Sequence, residues 1–401
     1  MAGRLQVIAP GPQKHREEMF ELIAKVFSHR GYFQFRDRLR EYYVDHSHYD
    51  WTASRIGILD GRIVTHFGIW DYQMRIGAAR VRVAGVGAVA THQDCRKRGY
   101  MKLTAQASVA GLRERGYDLS LLFGIPDFYH RFGFTRAFAE SDHCVRPGDL
   151  PSAAPARPLR RFRFRPRPDL ERLYNRAHAH VTGTAVRPTY SRPNTQAKYQ
   201  GYLWTGPRGR PAGYVAVIKE GSRLSVIEAV GDAEQVLRAT AQLARKLAAD
   251  QVRFANLPYD TPLARRLRQG ACTLERRYHR LGGPMVRVVN LASTLRKMCG
   301  ELSRRLRASH LARWRGALAV SDSRETVVLE LRAGRVRIAR KPSSTGSAIR
   351  GGHEVAQLLV GTDDPLEIRA QFRLRLSGAG RELLPVLFPD QHPTLHLADY
   401  F

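Results

Sequence analysis

The apolar and polar positions divide the chain into three stretches. Between Glu17 and Phe27, the residues Met19, Phe20, Ile23, Val26 and Phe27 recur at the spacing of one helical face, which predicts an amphipathic helix. Strand-like runs follow. Arg55–Leu59 leads through Asp60-Gly61, a hairpin signal, into Arg62–Trp70, and Tyr72–Ile76 and Val81–Thr91 read as two further strands. The helical period returns from Gly99 to Arg115, with Met101, Ala105, Val109 and Leu112 on one stripe. Leu119–Phe123 is a short apolar strand, and a loop holding Pro126 leads on to Phe128–Phe134.

A Pro- and Ala-rich linker, Pro147–Pro158, opens the second stretch. It continues with an Arg/Phe alternation from Arg161 to Arg165, a hairpin around Gly206–Gly209, strands at Gly213–Lys219 and Leu224–Val230, a helix over Ala233–Asp250 and a strand at Val252–Leu257. The order of hairpin, long strand, helix and strand repeats that of the first stretch, in architecture and not in sequence. The third stretch alternates about Ala333-Gly334 between Val327–Leu331 and Val336–Ile338. It then carries two short helical pieces, ending at Val360 and at Phe388, and stops at Phe401 with no low-complexity tail. The expected division is 1–146, 147–287 and 288–401, in an α/β (α+β) fold.

Composition changes this picture in one respect. With 66 Lys and Arg against 36 Asp and Glu, the net charge is +30. Such a surface attracts anions, whether nucleic acid, acidic protein or a phosphorylated cofactor. The arginines are scattered through every stretch, so a compositional bias towards arginine accounts for them equally. No apolar run approaches the ~20 residues of a membrane-spanning helix, and the first twenty residues contain no signal-peptide core, so the expected compartment is the cytoplasm. Cys95, Cys144, Cys272 and Cys299 lie far apart, which argues against a disulfide framework or a zinc site; no metal is expected.

The strongest chemical signal runs from Val86 to Met101. A strand ends near Thr91, a basic loop with Arg96, Lys97 and Arg98 follows, and Gly99 opens a helix. A helix N-terminus presents unpaired N–H groups and the positive end of a dipole to a phosphate, and Gly99 lets the backbone approach it closely. A plain basic loop between strand and helix is the competing reading. The second signal is Gly124-Ile125-Pro126-Asp127-Phe128-Tyr129-His130-Arg131-Phe132-Gly133-Phe134. The phenol of Tyr129 is chemically able to protonate a thiolate of similar or lower basicity; packing as an aromatic beneath a cofactor is the alternative.

The loop resembles motif A of the GNAT acetyltransferases, Arg/Gln-x-x-Gly-x-Gly/Ala. Arg96 and Gly99 match it, while Met101 stands where Gly or Ala is usual. The segment at 124–134 is similar to the Tyr-x-Arg-Phe-Gly-Phe/Tyr run after the next strand in many of these proteins. The whole layout, two tandem GNAT-like domains and a domain similar to sterol carrier protein, resembles the Eis-type family.

That resemblance implies an acetyl-CoA-dependent N-acetyltransferase. Ala88, Val89 and Ala90 would pair with the pantetheine arm, with the Val89 N–H polarising the acetyl carbonyl. Arg96, Lys97, Arg98, Gly99, Tyr100 and Met101 would bind the phosphates, and Gly124 and Ile125 would complete the cofactor groove. Tyr129 would be the acid, and the α-carboxylate of Phe401 the base. For Phe401, a terminus merely docked on the surface is the alternative. An amine acceptor and a homo-hexamer are implied as well.

Pairing with an internal carboxylate is the role expected of Arg131. The second stretch has no basic loop: Glu228-Ala229-Val230-Gly231-Asp232-Ala233-Glu234 would repel phosphate, so this half reads as a structural copy. A nucleic-acid-binding protein is the rival from another class. It rests on Arg161–Arg167, where Phe162 and Phe164 would stack bases or lie on one face of a strand. A lipid carrier, resting on the third stretch, is the other rival.

Overall fold

The structure, a computed structural model, describes residues 4–45, 47–164, 167–188, 199–340 and 345–401. Arg165, the last member of the Arg/Phe alternation, lies outside them.

The first unit is built on β1 (Gln6–Ile8), β2 (Arg55–Leu59), β3 (Arg62–Ile76), β4 (Ala79–Thr91), β5 (Leu119–Gly124) and β6 (Thr135–Arg136), with α1 (Arg16–Val26) and α2 (Tyr32–Arg38) before β2 and α3 (Tyr100–Gly111) between β4 and β5. The two strands expected over 62–70 and 72–76 are one. Asp71 does not interrupt it, because its carboxylate is held across the ladder by the guanidinium of Arg82 (2.9 Å) on β4. Asp60-Gly61 makes the expected turn, both residues having positive φ.

The second unit comprises β7 (Glu140–Val145), β8 (Arg160–Arg163), α4 (Pro168–Ala177), β9 (Gln200–Thr205), β10 (Pro211–Glu220), β11 (Arg223–Val230), α5 (Ala233–Lys246), β12 (Gln251–Phe254), α6 (Pro262–Arg268) and β13 (Thr273–Arg277). Its core order, β9-β10-β11-β12 with α5 crossing between two parallel strands, matches β2-β3-β4-β5 with α3. The architectural repeat read from the sequence is therefore present in space.

The units are not contiguous along the chain, as a division at residues 146 and 287 would have them. Strand β14 (Gly283–Val288) leaves the second unit and inserts between β5 and β6 of the first sheet, while β7 leaves the first and inserts between β12 and β13 of the second. Each seven-stranded sheet is thus completed by a strand from the other's segment. The apolar run Met285-Val286 and Val288 is buried against β5, which is what draws β14 there.

The third unit is a five-stranded sheet of β15 (Arg315–Ser321), β16 (Thr326–Arg332), β17 (Arg335–Ile338), β18 (Ala348–Arg350) and β19 (Arg375–Ser377), with α7 (Leu291–Arg307), α8 (Val355–Val360), α9 (Pro365–Phe372) and α10 (Gly380–Leu387). The hairpin about Ala333-Gly334 and the short helices ending near 360 and 388 are present. Helix α7 buries Leu291, Leu295, Met298, Leu302 and Leu306 in the core it shares with β3 and β4. Its Glu301 accepts from the Ala78 N–H (3.2 Å) at the β3–β4 turn, where a Cβ on Gly77 would collide with that carboxylate. The third unit is thereby fastened to the first. Among the described residues no helix is long and apolar enough to cross a membrane, and all four cysteines are free.

Candidate active site

Strands β4 and β5 pair in parallel only from Val83/Leu119 to Val86/Leu122; beyond that point the register ends and the two strands part. On its other side β4 bulges: His66 faces Ala90 and Gly68 faces Gly87, so Ala88 and Val89 together oppose Phe67. Ala88 takes a positive φ of 48° to make the bulge. His66 holds it there. Its Nδ1 lies 2.7 Å from the Ala88 carbonyl and its Nε2 2.8 Å from the Tyr49 hydroxyl. A carbonyl only accepts, so Nδ1 carries the proton and Nε2 accepts from the phenol. Burial drives the pKa of His66 down to about 4, which keeps the ring neutral in this role. The result is a cleft with backbone at Ala88–Ala90 unpaired on the β5 side, as a strand-like ligand requires.

At the head of the cleft, Arg96, Lys97, Arg98 and Gly99 are exposed, Tyr100 is half-buried and Met101 is buried. Gly99 adopts φ 80°, left-handed backbone that a side chain would strain, and it gives α3 no side-chain cap. The first N–H groups of α3 are therefore open to a ligand. The loop's own acid, Asp94, faces His92 (3.7 Å) and not the arginines. Met101 fills an apolar cluster with Ala105, Leu122 and Tyr129, so the larger residue is accommodated beneath the loop. In the second unit the equivalent helix, α5, is capped by Asp232, whose carboxylate accepts from the Gln235 N–H (2.9 Å). Its N-terminus already holds an anion.

Tyr129 opens a short 3-10 turn and lies against Gly124, where a Cβ would come within 2.6 Å of the ring. Burial raises its phenol pKa, so the proton is retained through the physiological range. Gly124 ends β5 opposite Gly283, while Ile125 is 65% exposed at the cleft mouth.

Phe401 is buried in the first unit although it ends the third stretch. Its ring packs on Tyr72 (5.3 Å) and Phe123 (5.5 Å), in the space left by Gly85, where a Cβ would meet the ring at 2.8 Å. Tyr400 stacks on Phe123 (3.9 Å) and its hydroxyl accepts from the Asn256 side chain (2.9 Å). Val83 and Phe401 belong to the core on one face of the sheet, and Ala84, Val86 and Tyr129 to the core on the other. Tyr129 and Phe401 thus flank the parting strands from opposite faces.

A buried clamp, not foreseen from the sequence, holds the tail. Arg187 donates to Glu228 (2.5 and 2.8 Å) and to Asp399 (2.9 and 3.0 Å), and its guanidinium lies 3.6 Å over the Tyr174 ring. Tyr214 donates to Glu228, and the Tyr174 hydroxyl lies 2.9 Å from His396. Glu228 is therefore not a surface acid repelling phosphate; it is buried and anchors the C-terminal segment. Strand β11 is buried on both faces from Leu224 to Glu228 and shifts register against β10, so its sequence does not mark the side of Glu228, and the partner at residue 187 is far away in sequence.

Arg131 is exposed and makes none of the carboxylate pairs found among the described residues; it lines a cavity, and the pairing expected of it is absent. Phe164 is buried and Phe162 packs against Gly201 and Tyr214, so these rings belong to the second unit's core and are not a stacking platform. His178 is buried beside Tyr174 and His396. Among the described residues no group of three or more His, Cys, Asp and Glu is arranged to hold a metal.

Residues 8–137 match the family model described as acetyltransferase (GNAT) domain, so the first unit carries a GNAT acetyltransferase domain, the fold of enzymes that use acetyl-CoA. The whole chain shares its fold with solved structures. A probable N-acyltransferase from Enterococcus faecalis is 16% identical with a TM-score of 0.75, covering 99% of this chain and 100% of its own. A GCN5-related N-acetyltransferase from Anabaena variabilis is 15% identical with a TM-score of 0.76, covering 98% and 99%. Eis1 from Mycobacterium abscessus is 15% identical with a TM-score of 0.66, covering 96% and 97%. No curated protein matches the sequence.

Proposed function

We propose that this chain, an acyltransferase by its first unit, transfers the acetyl group of acetyl-CoA to a primary amine by direct attack in a ternary complex. The observation that carries this reading is the placement of Tyr129 and Phe401 on opposite faces of the parting strands β4 and β5. Acetyl-CoA lies with its pyrophosphate on the open N–H groups of α3 and its pantetheine arm along Ala88–Ala90. Arg96, Lys97 and Arg98 neutralise the phosphates.

The amine nitrogen attacks the thioester carbonyl carbon. The Val89 N–H stabilises the oxyanion that forms, as a single donor. The C–S bond then breaks, and Tyr129 passes its proton to the departing thiolate. The proton of the attacking amine goes through water to the α-carboxylate of Phe401, which needs that relay because an ordinary α-carboxylate is a weak base. The products are the N-acetyl amine and free CoA.

The acceptor enters on the face of the sheet where Phe401, Tyr72 and Phe123 meet. The acceptor is an aminoglycoside-like amine or a protein lysine, as the Eis-type resemblance implies. The Eis-type resemblance adds a sterol-carrier-like role for the third unit, a hexamer and a cytoplasmic setting. Sizing by light scattering tests the hexamer.

Acetyl-CoA at 100 times its Kd is expected to stabilise the protein by about 2.7 kcal/mol, read as a rise in melting temperature that Gly99→Glu abolishes. The absence of any rise with acetyl-CoA or CoA rules out the enzyme reading. A panel of aminoglycosides, polyamines, amino acids and peptides, assayed by CoA release, identifies the acceptor. A few residues added after Phe401 test the base: full turnover by the extended protein excludes the carboxylate.

A further inference from the structure

Away from the cleft, a cavity of about 460 Å³ lies where the first and third units meet, within the usual size of a small-molecule site. Its charged lining is Arg113, Arg131, Arg287 and Arg324, with the ring of His353 beside them, and among the described residues no carboxylate lines its wall. The remaining wall is largely apolar, with Val109, Phe132 and Val289. The carboxylates beside these groups are already engaged, two of them with arginines of the wall itself. Glu325 accepts from Arg113 (3.0 Å), Asp322 accepts from the N–H groups of Arg324 and Glu325 (2.8 Å each) and lies 3.7 Å from the Arg324 guanidinium, and Glu354 accepts from the Gly352 N–H (2.6 Å).

Two of the cations, Arg131 and Arg287, form no ion pair among the described residues. Arg287 donates one Nη to the Phe132 carbonyl, while its Nε is buried and has no partner among the described residues. A buried guanidinium donor without an acceptor is costly unless something supplies one. Burial, aided by Arg324, brings Arg287 down to about 10, and burial together with Arg287 and Arg324 lowers His353.

We propose that this cavity binds a small amphiphilic oxyanion, a phosphate or carboxylate carried on an apolar group. The oxyanion sits between Arg131 and Arg287, whose planar forks suit two-oxygen recognition, and the apolar part lies on Val109, Phe132 and Val289. The site is separate from the cofactor cleft. Gln106, Val109 and Ala110 of α3 and Arg113 just beyond its C-terminal end line it, whereas the cofactor phosphates are placed at the N-terminal end of that helix. Because Arg324 and His353 come from the third unit, an occupant ties that unit to the helix that carries the cofactor loop.

The test is calorimetric titration of the full chain with phenyl phosphate and, separately, benzoate, each with the cofactor cleft saturated by CoA. Saturable binding of at least one probe is expected to persist with CoA present and to weaken roughly ten-fold or more in Arg131→Ala and in Arg287→Gln, while Arg98→Ala leaves it unchanged. Arg131 is exposed, so its variant keeps the fold, and unchanged CoA affinity verifies this. A preference between the probes distinguishes a phosphate from a carboxylate ligand. Absence of binding by both probes, displacement by CoA, or binding that both cavity variants retain overturns the proposal. CoA affinity is measured in the same samples, so a failure of the acetyltransferase reading is seen independently.

Discussion

At Tyr129 the protein keeps a phenol protonated by burying it, and under the proposed function this sets how the reaction responds to pH. The folded-state pKa is raised, so the acid remains competent as pH rises, and kcat is expected not to fall between pH 8 and about 10, the ordinary phenol pKa. Tyr129→Phe removes the proton without disturbing the packing on Gly124. A loss of ~10²–10⁴ in kcat with little change in KM for acetyl-CoA is expected from steady-state kinetics. An equal loss in KM alone would assign Tyr129 to packing. The candidate residues of this cleft were legible in the sequence because those proposed for phosphate form a local string, Arg96 to Gly99, and the proposed acid lies in another, Tyr129 to Phe134. His66 was not readable. Its task, holding the Ala88 bulge, is defined only when β3 and β4 lie side by side.

Elements recognised by period were found within a few residues of their predicted ends, including β2, β4, α1 and α5. Among those missed, three bear on how the units join. Helix α7 has an apolar stripe at helical spacing that begins where a unit boundary was drawn. Strands β7 and β14 are ordinary short strands whose sheet is chosen by burial partners more than a hundred residues away. A fragment ending at residue 146 therefore lacks β14 and carries β7 with no sheet to join. It is expected to be insoluble or to fail to bind acetyl-CoA in a pull-down on CoA resin, whereas the full chain binds. The Arg187 clamp is likewise long-range. Arg187→Met leaves Glu228 and Asp399 buried without their cation, at a cost of about 3–5 kcal/mol, read from denaturant unfolding. Glu228→Gln in the same chain is expected to recover part of that loss.

Across the whole molecule, the three units are joined by charges as well as by apolar cores. Glu301 is the clearest joint. Burial acts to raise its carboxyl, but hydrogen bonds and charge from Arg304 (2.6 Å) and Arg305 (2.8 Å) outweigh this and hold it at about 2, against 4.5 ordinarily. A depressed carboxyl stabilises the fold above its unfolded-state pKa. The contribution is complete above about pH 4.5 and is lost as pH falls towards 2. Glu301→Gln is expected to flatten the acid limb of the melting-temperature profile over that window. The net charge of +30 has a local expression in the cavity between α3 and the third unit, though most of the arginines show no shared focus. The reciprocal exchange of β7 and β14 also bears on heredity. A recombination event that transplants either acetyltransferase-like half at the linker carries away one strand its neighbour needs and leaves behind one of its own. The two halves, though alike in plan, can be inherited only as a pair.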